Sequence, residues 1–248
     1  MIQGSYMKSF EPASAAIAPA IPAQVLRIPL NCSPEQASRL RDLQVAFAGV
    51  CNVIAPVVQQ TRCWNRVALH HMLYRSLRER FPAMGSQMVC NAIYSVSRSA
   101  RAVLQHPASP WNVQRHPERP LPLIRFADSA PVYFDRHTLS IRDGQLSMFT
   151  LDGRMRFELH LGPAGEARFH DEKLLEVVLA GDGHQGYALT FRFGGAPGGE
   201  ATAAAHDADA ELPQYLVIVP DPAAALPSTD LPVAAPAAGD PLPAPDFA

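Results

Sequence analysis

Residues Gln24–Leu40 read QVLRIPLNCSPEQASRL. The first seven look like one short strand. Directly after it, Ser33-Pro34-Glu35-Gln36 has the pattern of a helix start, with Ser33 as N-cap, Pro34 at the first helical position and Gln36 closing a capping box. A lone strand needs partners, and every other β-type stretch of the chain lies beyond residue 122. The helical segments in between therefore read as an insertion into a small β-barrel whose first strand is Gln24–Leu30.

Three helices are expected in that insertion. Leu40, Leu43, Phe47, Val50, Cys51 and Ile54 recur at spacings of three and four and give the first helix one apolar stripe, with Pro56 expected to end or kink it. A second helix runs from about Asn65 to Arg80. It buries Leu69, Met72, Leu73 and Leu77 and projects His71, Arg75 and Arg78 from the other side. Ser86 caps a third, over about 87–105, with Met88, Ala92, Val96, Ala100 and Val103 inside. Its opposite face collects Gln87, Tyr94, Arg98, Arg101 and Gln105, residue types that can pair phosphates and stack a base.

After the proline-rich connection 106–122 the pattern changes to β. Strands are expected near 123–126, 131–135, 138–142, 145–151, 154–160, 174–180, 186–193 and 214–219. Asp143-Gly144, Asp152-Gly153 and Gly181-Asp182-Gly183 mark turns between them. In LSMFTLDGRMRFEL (Leu146–Leu159) the second arm alternates, with Met155, Phe157 and Leu159 on one side and Arg154 and Arg156 on the other. The fold class is thus α+β: a small OB-like β-barrel with an inserted three-helix bundle. Its parts are a disordered segment 1–22, a first strand 23–32, a helical insertion 33–105, a linker 106–122, a barrel 123–220 and a disordered tail 221–248. Residues 194–211 read as a flexible loop. The Ala/Pro-rich composition of both ends has little to bury.

Charge divides the chain as well. Residues 23–160 hold 17 arginines, no lysine and 9 acidic residues, a net charge of +8, whereas residues 161–248 hold 3 basic and 13 acidic residues, a net charge of −10. A basic body with an acidic end suggests a polyanion partner for the body, and the fork of arginine suits phosphates and bases. No apolar run approaches the ~20 residues of a membrane span, and the N-terminus lacks the apolar core of a signal peptide. The four cysteines have no metal-site spacing and read as free thiols in a reducing cytoplasm.

Four stretches resemble TnpB, the OrfB-type protein of insertion-sequence elements, and the related type V CRISPR effectors. VLRIPLNCSPEQASRLRDL is similar to that family's opening strand and helix start. Asn52 and Asn65 fall where the family has its "a-c-N" and "n-r" helix positions. LYRSLRERFPAMGSQMVCNAIYSVSRSARAV and VYFDRHTLSIRDGQLSMFTLDGRMRFEL resemble its "Y-x-x-l-R-x-x-F-p-l-p-s-q-m" and "v-x-y-d-x-r-x-x-s-l … v-s-l-x-T-l-x-G-R" segments. In that family a β-barrel wedge and its helical insertion, the recognition lobe, grip a guide RNA and the guide–target duplex. A RuvC-like nuclease with a "G-v-D-x-G" strand follows. Here QYLVIVP reaches the matching point and gives way to PDPAAALPSTDL, with no such strand. The carboxylates beyond it, Asp221, Asp230, Asp240 and Asp246, lie in a proline-rich stretch unsuited to hold metal ions for two-metal cleavage.

The resemblance thus implies a nuclease-less RNA-binding protein, not an enzyme, with no cofactor or metal. Its partners would be guide-type RNA and target DNA, without a membrane. The expected RNA-binding residues are Arg75, Arg78, Tyr94, Arg98, Arg101, Arg154 and Arg156. Two alternatives stay open: half of a split nuclease whose RuvC domain is a separate chain, or a transposon remnant acting as a protein-interaction module. Adjacent His70 and His71 point about 100° apart on a helix and cannot share an ion. His160, His170 and His184 lack partners at useful spacing. No P-loop, G-x-G-x-x-G or G-x-S-x-G occurs. Trp64, Tyr74 and Phe81 read as packing residues, and Trp111 as a further stacking candidate.

Overall fold

The computed structural model describes residues 24–135, 137–142, 144–159, 161–181, 186–194 and 212–220. The expectations for 1–22, for 221–248 and for nearly all of the 194–211 loop fall outside these. The elements in chain order are β1 (Gln24–Leu30), α1 (Pro34–Thr61), α2 (Arg66–Arg80), α3 (Ser86–Leu104), β2 (Leu123–Phe126), β3 (Val132–Phe134), β4 (Leu139–Arg142), β5 (Gln145–Thr150), β6 (Gly153–Glu158), α4 (Pro163–Asp171), β7 (Lys173–Gly181), β8 (Tyr187–Gly194) and β9 (Leu216–Val219).

The lone strand finds its partner late in the chain. β1 runs antiparallel to β8, from Gln24 opposite Phe193 to Leu30 opposite Tyr187. The order of that sheet is β1-β8-β7-β3; β2 pairs with β9, and β4, β5 and β6 form a third sheet. The class is α+β, with four helices and antiparallel sheets among the described residues. Among the described residues no ladder closes into a barrel, in contrast to the sequence expectation. Asp135 accepts from the backbone N–H groups of His137 and Thr138, 3.0 and 3.1 Å, and from the Thr138 hydroxyl. β4 belongs to a sheet separate from that of β3.

α1 begins as its capping box dictates: Ser33 Oγ accepts from Gln36 N, and Gln36 Oε1 accepts from Ser33 N. Pro56 does not end it; the helix continues to Thr61. Ile54, Ala55 and Val58 around the proline are buried, and that packing outweighs the ~3 kcal/mol an interior proline costs. By length and composition α1 could cross a membrane; here its apolar side is the core. In α2 the buried stripe narrows to Leu69, Leu73 and Leu77, and Met72, expected inside, is exposed.

α1 also fastens the β half through side chains that bond backbone. Gln44 Nε2 donates to the carbonyls of Ser129 and Ala130, both 3.2 Å, and Gln59 Nε2 to Leu121 O, 2.9 Å. Asn52 bonds Phe126 twice: its Nδ2 donates to the carbonyl at 2.9 Å and its Oδ1 accepts from the N–H at 2.8 Å. The amide thus continues the ladder where β2 ends. Asn65 caps α2, its Oδ1 accepting from Val67 N and Ala68 N. One element was not expected: α4, anchored by Phe169, whose ring meets Phe191 and Phe193 edge-on, both at 5.1 Å.

Candidate nucleic-acid interface

α3 is buried nearly all round. Its stripe of Met88, Ala92, Val96 and Ala100 joins the core, and Asn91, Ser95 and Ser97 are buried too. The side that carries Tyr94 and Arg98 faces the β1-β8-β7-β3 sheet rather than solvent. Tyr94 Oη donates to Glu176 Oε1 on β7 at 3.0 Å. Arg98 pairs with the same oxygen. Arg192 of β8 approaches Glu176 Oε2 at 3.5 Å, and the Glu176 side chain is only 10% exposed. The Tyr133 ring closes the cluster, 5.6 Å from Tyr94 and 5.6 Å from the Arg98 guanidinium.

Burial raises the pKa of Tyr94, and the neighbouring Glu176 charge raises it further. Burial disfavours the Arg98 cation, but Tyr133 and Glu176 more than offset this and its pKa rises. Tyr94 and Arg98, expected on a phosphate-pairing surface, turn their polar groups to Glu176. That carboxylate lies 82 residues from Tyr94 and 78 from Arg98 in sequence, and a charge beside an apolar sheet must be paired.

The other arginines differ among themselves. Arg75 is almost fully exposed and reaches Glu79 at 3.3 Å along its own helix. Arg78 folds back to donate to Met84 O and holds the turn after α2, so it does not project freely as expected. Arg101 is exposed and donates to Ser97 Oγ at 3.2 Å. Trp111 lies under the Arg119 guanidinium at 4.0 Å. Among the described residues no hydrogen bond or ion pair links these arginines to Arg154 or Arg156.

The hairpin fulfils the alternation read from the sequence. Met155, Phe157 and Leu159 are buried, while Arg154 and Arg156 are exposed. Gly153 takes φ 109°, a conformation open to glycine, at the turn. α1 fixes the hairpin in place: Arg39 Nη2 pairs with Asp152 Oδ1 at 2.6 Å and meets Thr150 Oγ1 at 3.2 Å, and Gln36 Nε2 donates to Arg156 O at 3.2 Å. The hydrogen bond from Arg39 keeps the Asp152 carboxyl below its ordinary pKa.

Register defines the outer face of this three-stranded sheet. Phe149 stands opposite Arg154, and Ser147 opposite Arg156 and Ser140. Arg142 stands opposite Gln145, which in turn faces Glu158. Three arginines thus share a face with one glutamate among the described residues. The Arg154 guanidinium lies 4.2 Å from the Phe149 ring centre, and its N–H groups donate to Ser147 Oγ at 3.1 Å and Ser147 O at 3.3 Å. Arg156 makes no side-chain hydrogen bond or ion pair among the described residues. Sequence reasoning missed Arg142 and Phe149. The signal was there: in SMFT the aromatic residue falls out of phase with the buried Leu146 and Met148.

Other chemistries find little support in the geometry. His70 stacks on Tyr74 at 4.7 Å, and His160 and His184 lie outside the described residues. Among the described residues no three His, Cys, Asp or Glu side chains are grouped to hold a metal ion. Burial pushes the Cys51 thiol pKa up, far from the nucleophilic range. No protein-family model matches the chain, and no curated protein matches it.

Proposed function

We propose that this protein is a TnpB-like RNA-binding protein that uses the β4–β6 face as its principal contact with RNA and does not itself cut nucleic acid. The observation that carries the reading is that face, where Arg154, Arg156 and Arg142 lead away in turn from the exposed Phe149 ring, with one acidic side chain among the described residues. The +8 charge of residues 23–160 supports it by drawing a polyanion toward the body of the protein. In this reading the three sheets act together as a wedge-like β part, α1–α3 act as its recognition insert, and target DNA is met through the bound guide-type RNA. The pairing of β1 with β8, on either side of the helices in sequence, is compatible with that arrangement. Phosphate contacts release counterions, so affinity must fall steeply with salt.

The test is purification of the full chain under ribonuclease-free conditions, sequencing of co-purified RNA and titration of that RNA at several salt concentrations. A defined RNA species with a steep salt dependence supports the reading. Random RNA, or none, overturns it.

A further inference from the structure

The β4–β6 face has features that phosphate binding alone does not require. Phe149 is 39% exposed on it although Leu146 and Met148 of the same strand are fully buried, so the ring contributes to the surface and not to the core. Arg154 lies over that ring and is tied to Ser147, which holds its guanidinium against the sheet. The outer face of a guanidinium held on an aromatic ring is a flat, polarisable surface on which a nucleobase can stack. Arg156, two residues along the same strand, stands about 7 Å away, close to the repeat between neighbouring phosphates of an extended strand. Ser147 adds a small polar side chain between them.

We propose that this face is a single-strand platform: a base stacks on the Phe149–Arg154 pair while Arg156 and, farther along the sheet in the same direction, Arg142 hold successive phosphates of the strand that leads away from it, so that the ligand is single-stranded RNA in preference to duplex. The proposal rests on the RNA-binding reading above and narrows it to a substrate class. Bases in a duplex are stacked on one another and cannot reach a side-chain platform, whereas unpaired bases can. Charge complementarity fits the occupant, since Glu158 is the one acidic side chain on the face among the described residues.

The full chain is titrated, by fluorescence anisotropy, with a labelled oligouridylate of about twenty nucleotides and with an RNA duplex of equal length. The unaltered protein binds the single strand more tightly. Phe149→Ala and Phe149→Leu each weaken the single strand by about tenfold and leave the duplex within about twofold. Phe149→Tyr retains the preference. Arg154→Lys keeps the charge, loses the plane and loses the preference. Arg156→Ala weakens both ligands and lowers the salt slope by about one. Because Phe149→Leu keeps an apolar group under Arg154, a folding defect confined to the alanine variant cannot imitate the result. If the Phe149 variants weaken both ligands equally, or neither, the platform is refuted while the RNA-binding reading stands. If the unaltered chain binds neither ligand, that reading falls and the platform with it.

Discussion

Replacing Arg98 with alanine separates a strut from a ligand contact. Glu176 would keep Tyr94 Oη at 3.0 Å and Arg192 at 3.5 Å but lose its closest cation. Breaking a fully buried pair by removing one partner costs about 3–5 kcal/mol. Here the Arg98 side chain is 26% exposed and a second arginine remains, so solvent and Arg192 recover part of this and about 2 kcal/mol is expected. For a chain of this size that corresponds to a melting temperature lower by about 4–8 °C. Arg101→Ala, on the exposed side of the same helix, should stay within about 0.5 kcal/mol. Adding Glu176→Gln to Arg98→Ala removes the stranded charge and should recover about 1 kcal/mol. Circular-dichroism melts of the four proteins measure all of this. An Arg98→Ala variant that melts like the unaltered protein while losing RNA affinity would refute the reasoning and return Arg98 to the binding surface.

Three further outcomes follow from other contacts. Asn52→Ala leaves the N–H and carbonyl of Phe126 without their side-chain partners and should cost about 2–3 kcal/mol; hydrogen exchange reads it directly, and a Phe126 amide that stays protected would contradict the ladder-extending role. Cys51 is fully buried, so iodoacetamide should leave it unmodified in the native protein and label it in denaturant; native labelling at the rate of an exposed thiol would place it elsewhere. Burial is the largest cause of the raised pKa in Cys51, Tyr94 and Tyr133. A group that binds its proton more tightly when folded contributes stability that is intact below its ordinary pKa, 9.0 for the thiol and 10.0 for the phenols, and lost above it. The urea midpoint should therefore fall between about pH 8 and pH 11, and a flat profile would exclude all three as buried groups.

Much of the fold was legible because its signals are local. The capping box at Ser33, the Asp152-Gly153 turn and the alternation of Met155, Phe157 and Leu159 each act within a few residues. The pairing of β1 was legible for another reason: a strand without neighbours must find some, and the only β-type segments lay downstream. What was not legible depends on partners far away in sequence. The spacing of Tyr94 and Arg98 describes a polar helix face, but not whether water or Glu176 lies opposite. Pro56 carries a helix-breaking signal that the burial of Ile54, Ala55 and Val58 overrides. α4 has one apolar anchor, Phe169, too little periodicity to stand out. The candidate site was half visible: Arg154 and Arg156 follow from alternation, whereas Arg142 and Phe149 join them only once the register of β4 and β5 is known.

The joining of β1 to β8 imposes an order of assembly. During synthesis Gln24–Leu30 leave the ribosome well before their partner, and α1–α3 can begin to settle on one another by local contacts. The partner strand, Tyr187–Gly194, emerges more than 150 residues later, at roughly 5–20 residues per second. For those seconds the first strand waits with both edges open, a state prone to pairing with other chains. Pro29, within that strand, has no N–H to offer and interrupts the row of donors on which a stranger could add. The residue least suited to a strand thus guards it until Tyr187–Gly194 arrive.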